Sequence, residues 1–161
     1  MAATHVVGIS DCKLSADPSD KVVTYALGSC VGVVLHDPVA RIGGILHIML
    51  PDSRYRPSNR EFNPYMYADT GLYAFLHAML KGGASRTRIG AKLAGGANML
   101  QHSQFLDIGR RNAETAVSIL GLEKIPILGS SLGGVVGRSL ALSLSDGAVT
   151  VRLLGRGEET L

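Results

Sequence analysis

Cys30-Val31-Gly32-Val33-Val34-Leu35-His36, Asp37-Pro38-Val39-Ala40 and Arg41 through Leu50 form the stretch on which the reading of this chain turns. The first part reads as a strand, the second as a turn and the third as the returning strand. Asp then Pro suits a type I turn, because Pro presets φ and Asp accepts a local backbone hydrogen bond. With the hairpin centred at Pro38-Val39, Cys30 lies opposite His47. Directly opposed residues on one face have Cβ atoms roughly 4.5–5.5 Å apart, which places a thiol beside an imidazole able to deprotonate it. An odd loop, or a bulge at Gly43-Gly44, would turn His47 to the other face.

Outward from the hairpin, short β-like runs appear at His5 to Ile9 and Val22 to Ala26. A long polar connector, Pro51 to Pro64, carries Arg54, Arg56 and Arg60. Loops of this length are often functional rims. Leu72, Phe75, Leu76, Met79 and Leu80 recur with helical period, predicting a helix capped near Asp69 and stopped by Gly82-Gly83. Arg88 to Leu93 reads as a strand running into the small-residue patch Ala94-Gly95-Gly96-Ala97-Asn98. A second helix is marked by Ala113, Ala116, Val117 and Leu120, with Arg110-Arg111 at its start. Ile125 to Leu128, Ser139 to Leu144 and Val149 to Leu154 read as closing strands, the last two joined by a hairpin turn at Ser145-Asp146-Gly147. Strands and helices that do not alternate regularly predict an α+β fold, with residues 1–161 forming one domain.

Composition narrows the function classes. The 161 residues are 46% apolar and 18% charged, enough to bury a core without disulfides or metals. The formal charge of +3 is scattered, and no basic run is long enough to track a phosphate backbone, which argues against a nucleic-acid partner. No apolar stretch approaches the roughly 20 residues that cross a bilayer. Two cysteines, Cys12 and Cys30, and an N-terminus without a signal pattern predict a reducing, cytoplasmic setting.

Taken alone, a cysteine is more often a small core residue than a nucleophile. Gly28-Ser29 changes the balance for Cys30, since a tight turn there would aim peptide N–H groups at a developing oxyanion. Thr24 is placed to return to the site and hold the imidazole tautomer. Asn98, in the glycine patch, is either a contact for a substrate carboxamide or a turn residue.

Thr24-Tyr25-Ala26-Leu27-Gly28-Ser29-Cys30-Val31, Asp37-Pro38, Gly43-Gly44, His47, Met49-Leu50-Pro51 and Lys92-Leu93-Ala94-Gly95-Gly96-Ala97-Asn98-Met99 together resemble the CheD family of chemoreceptor glutamine deamidases. Ile108-Gly109-Arg110-Arg111-Asn112, Gly133-Gly134 and Gly137-Arg138 extend the likeness. The resemblance implies an α/β/β layered sandwich with mixed sheets, related to deamidating toxins. It implies a Cys-His-Thr set, here Cys30, His47 and Thr24, that hydrolyses receptor glutamine carboxamides to glutamate without a cofactor, and glutamate methyl esters as well. It also implies receptor cytoplasmic domains and the phosphatase CheC as partners. A non-catalytic adaptor of the same fold is the alternative, with Met99, Leu100 and Phe105 as a docking surface. Gly129-Ser130-Ser131-Leu132-Gly133 departs from the family pattern, which commonly places an acidic residue before the glycine pair.

Two other readings compete. Gly129-Ser130-Ser131-Leu132-Gly133 fits the nucleophile-elbow pattern, but no histidine follows Ser131, and a turn is expected there. Cys30, His36 and His47 are all zinc-ligand types, yet a paired hairpin puts His36 near the turn and away from Cys30, so no metal is expected. His5, His77 and His102 lack any ligand pattern, and Cys12 reads as structural.

Overall fold

The computed structural model describes residues 2–99 and 107–161. Two five-stranded sheets stack face to face, and two helices cover the outer face of one of them. The strands are β1 (Thr4–Val7), β2 (Asp11–Ser15), β3 (Lys21–Leu27), β4 (Val31–Asp37), β5 (Ile42–Ile48), β6 (Gly90–Gly95), β7 (Ile127–Leu132), β8 (Arg138–Ser143), β9 (Val149–Leu153) and β10 (Gly157–Thr160). The helices are α1 (Ala68–Lys81) and α2 (Ile108–Leu122).

The outer sheet runs β1-β3-β8-β9-β10 and the central sheet β2-β5-β4-β6-β7. Each contains one parallel pair, β1 with β3 and β6 with β7, among antiparallel ones. The fold is therefore α+β, in α/β/β layers. The sequence reading does not include β2 and β10: β2 is short and half-polar, and all four residues of β10 are exposed, so the ladder alone holds it.

Strand alternation divides the β4–β5 hairpin between two cores. Val31, Val33, Leu35, Ile42, Leu46 and Ile48 pack under the helices with Leu72, Phe75, Leu76 and Met79. Val34 and Ile45 point the other way, into the layer between the sheets, with Val22, Leu27, Leu140 and Leu142. The α1 stripe is as expected up to Met79, but Leu80 lies at its exposed edge. Its N-cap is Tyr67. Asp69 instead sits in the first turn and accepts from the Ser53 N–H and hydroxyl at 3.0 and 2.9 Å, pinning the 51–64 connector.

One open alternative is settled and two expectations are corrected. Gly43-Gly44 pairs with β4 in unbroken register, and the bulge lies in β3, where Tyr25 and Ala26 oppose the single Ser139 of β8. The cause is Ala26, held at φ 59°, which re-aims Leu27 into the inter-sheet layer. Residues 129–132 form strand rather than turn, paired in parallel with β6 from Lys92 opposite Gly129 to Gly95 opposite Leu132. In α2 the buried face runs Gly109, Asn112, Ala116, Ile119, Leu120, so Val117 is exposed and a polar side chain occupies the core-facing stripe.

Candidate active site

The hairpin register places His47 opposite Gly32, and Val31 opposite Ile48. Continuing the ladder one step sets Met49, not His47, across from Cys30. The expected direct pairing is thus off by two residues. Its cause is the connection: residues 38–41 form a four-residue loop with Arg41 in the left-handed region at φ 56°, and Asp37 Oδ1 accepts from the N–H groups of Val39 and Ala40. An offset of two preserves the face, so Cys30 and His47 stay on the same side of the sheet as diagonal neighbours. Cys30 packs, half-buried, against the inter-sheet core.

His47 is fully buried and reaches across the layer to the outer sheet. Its Nδ1 lies 2.7 Å from Thr24 Oγ1, and the same hydroxyl lies 2.7 Å from the Val7 carbonyl. A carbonyl only accepts, so the single hydroxyl proton goes to Val7, and Thr24 must accept from His47 Nδ1–H. The tautomer follows from this geometry. Nε2 is left as a lone-pair nitrogen, buried and without a hydrogen-bond partner among the described residues. Cys30 Sγ makes no hydrogen bond to it.

Burial sets the charges of both groups. It lowers the His47 imidazole to about 4 and pushes the Cys30 thiol above its ordinary value, the thiol being partly relieved by its own backbone N–H. At neutral pH the resting pair is therefore thiol and neutral imidazole. Cys12, pushed up to about 12 by burial and by Asp11, pairs across from Leu46 and is inert.

The loop that carries Cys30 is tied down through its carbonyls. Gly28 O accepts from Ala97 N–H at 2.9 Å, Ser29 O from Asn112 Nδ2 at 3.0 Å and Cys30 O from Gly96 N–H at 2.8 Å. The glycine patch is what permits this. Gly95 has φ +115° and faces the Cys30 carbonyl so closely that a built Cβ would lie 2.2 Å from its oxygen. Gly28 and Ser29 therefore join Cys30 in one constrained turn. Asn98 does not join them: its N–H donates to Gly134 O, and it lines a groove of about 320 Å³ with Asp107, Arg110 and Glu114 that neither Cys30 nor His47 lines.

His36 sits at the other end of β4, opposite Gly43 and with its ring against Gly147. Met99 lies against Gly28, while Leu100, His102 and Phe105 fall outside the described residues. Asn112 was not foreseen as a site residue. Its signal was a polar residue in phase with the buried α2 positions 109, 116, 119 and 120.

A family model described as CheD chemotactic sensory transduction matches residues 49–153. A probable chemoreceptor glutamine deamidase CheD of Symbiobacterium thermophilum is 44% identical over 98% of this chain and 96% of its own. The chain belongs to the CheD family. Relatives with the same name from Solibacter usitatus and Desulforamulus reducens are 40% and 44% identical, over 96% and 92% of this chain and 91% and 90% of theirs. Among solved structures, a Bacillus licheniformis hypothetical protein, YfiH, aligns with a TM-score of 0.46 at 14% identity, over 75% of this chain and 49% of its own. Among the described residues of this CheD-family chain, no helix is long and apolar enough to cross a membrane.

Proposed function

We propose that this chain is a cysteine amidohydrolase that converts glutamine side chains of chemoreceptor cytoplasmic domains to glutamate, with Cys30 as nucleophile, His47 as base and acid, and Thr24 as the group that holds His47. The observation that carries the chemistry is the Thr24 hydroxyl, which spends its proton on Val7 and so commits His47 Nε2 to accept. The family relatives' shared name carries the substrate class.

In the reaction, the Cys30 proton passes to His47 Nε2 as sulfur attacks the carboxamide carbon. Peptide N–H groups of Ser29 and Cys30, in a turn whose Gly28, Ser29 and Cys30 carbonyls are all occupied, serve the oxyanion. The tetrahedral adduct collapses by breaking its C–N bond, and His47 returns the proton to the leaving nitrogen, which departs as ammonia. Water then attacks the thioester with His47 again as base, releasing the carboxyl group and restoring the thiol. A buried imidazolium with a pKa near 4 gives up its proton readily, which suits the expulsion of a poor leaving group. The same steps cleave a glutamate methyl ester. The cytoplasm is the compartment this substrate requires, and CheC is the further partner that the family resemblance suggests.

The test is incubation with receptor cytoplasmic fragments, following amide-to-acid conversion at glutamine by mass spectrometry alongside ammonia release. Wild type should convert and Cys30→Ala should not. Equal conversion by both would remove the enzyme reading, and receptor binding with no conversion by either would favour an adaptor.

A further inference from the structure

The carbonyls of Ser29 and Met49 flank the start of β4 and the end of β5: Ser29 precedes Cys30, and Met49 follows His47 by two. Both accept from one nitrogen, Asn112 Nδ2, at 3.0 Å each. Because carbonyls cannot donate, the amide orientation is forced and both of its protons are used. Asn112 is fully buried, and its Oδ1 has no partner among the described residues. Among the described residues, no other side chain bonds to both of these carbonyls.

The helix is brought close enough for this by Gly109, one turn earlier on the same face. A Cβ built there would lie 2.4 Å from Ala97 O and 2.7 Å from Gly96 C, so any other residue would push α2 away from the patch that fixes Gly28 and Cys30. Asn112 arrives by the same approach. A trigonal NH₂ group holds two carbonyl oxygens at a fixed separation, and with it the entry of β4 against the exit of β5.

We infer that Asn112 is a positioning residue that sets the distance between Cys30 and His47 by bridging the Ser29 and Met49 carbonyls. The inference rests on the Cys30–His47 reading above. It predicts that losing the bridge leaves the sulfur and Nε2 present but no longer coupled. A misplacement of about an ångström costs on the order of 100-fold in rate. Asn112→Asp keeps the shape and removes both donors as a carboxylate, while Asn112→Ala removes the donors without adding charge.

The experiment compares wild type, Asn112→Asp, Asn112→Ala, His47→Ala and Cys30→Ala in two assays, with folding checked by circular dichroism. In the first, kcat with a receptor fragment should fall about 100-fold in both Asn112 variants, with KM little changed. In the second, the pH profile of Cys30 alkylation by iodoacetamide should shift in both variants onto that of His47→Ala. Alkylation reads the coupling without any receptor, so a wild type that never converts glutamine defeats the deamidase reading while this assay still judges Asn112. If wild type converts, Cys30→Ala does not, and both Asn112 variants keep the wild-type kcat and alkylation profile, the inference alone is overturned. A shifted profile in Asn112→Asp only would assign the effect to charge and overturn it. So would failure of both variants to fold, which would make Asn112 a folding residue.

Discussion

Leu46 and His47 are neighbours in β5, equally buried, and they serve opposite sides of one sheet. On the helix side, Leu46 joins an unbroken apolar layer with Ile42, Ile48, Phe75 and Met79. On the inter-sheet side, the positions of β4 and β5 read Gly32, Val34, His36, Gly43, Ile45 and His47, with Gly32 and Gly43 facing the Leu140 and Leu142 side chains and the His47 ring reaching through to Thr24. One face is filled for stability. The other leaves room and supplies a base.

His47→Gln should break the pair most sharply. Losing the base is expected to lower deamidation by about 10³-fold or more, equivalent to roughly 4 kcal/mol of transition-state stabilisation, while the melting temperature changes little because no apolar contact is removed. Glutamine-to-glutamate conversion and a thermal melt, measured on the same sample, check both halves. A large drop in stability with retained turnover would reverse the assignment of the two faces.

Leu46→Ala tests the opposite face. Truncating a fully buried leucine costs about 3 kcal/mol, and for a chain of this size each kcal/mol lowers the melting temperature by roughly 2–4 °C. Turnover per folded molecule should hold below the transition.

Thr24→Val sharpens the comparison within the active face. The substitution keeps the shape but offers Nδ1–H no acceptor, so the imidazole is freed to put its proton on Nε2, where it cannot take one from Cys30. Turnover should fall about 30-fold, with Thr24→Ser close to wild type. Equal rates for the two variants would detach Thr24 from the chemistry.

The face of His47 was legible in the sequence and its register was not. Alternation along Ile42 to Ile48 gives the parity, which survives a two-residue error. The register depended on Arg41 at φ 56°, and an arginine carries no mark of a left-handed residue as glycine would. Ala26 hides the β3 bulge for the same reason. Asn112 was readable only as a break in helical period, since the two carbonyls it serves lie 63 and 83 residues away in the chain. The chemistry itself came from resemblance, because Cys and His on one hairpin face fit a packed core as well as a catalytic site until the Thr24 proton is traced.

The smallest expected effect is the pH dependence of stability that the buried ring imposes. The folded-state pKa of His47 is lowered by burial to about 4, against 6.5 for an ordinary imidazole, so the unfolded chain binds the extra proton between those values. Stability therefore rises with pH through that window. It is fully present above 6.5 and is lost as pH falls toward 4. Between pH 7.0 and 5.5 the loss amounts to about 1 kcal/mol. His36, also lowered by burial, acts in the same direction, whereas Asp20 and Asp37 are held at or below about 2 by their hydrogen bonds and stay charged throughout. Subtracting the His47→Gln urea-unfolding profile from that of wild type isolates the ring. A difference that is flat across this interval would mean that burial does not lower the imidazole's pKa. The same low pKa keeps the base competent in mild acid, so kcat/KM should hold down to about pH 5.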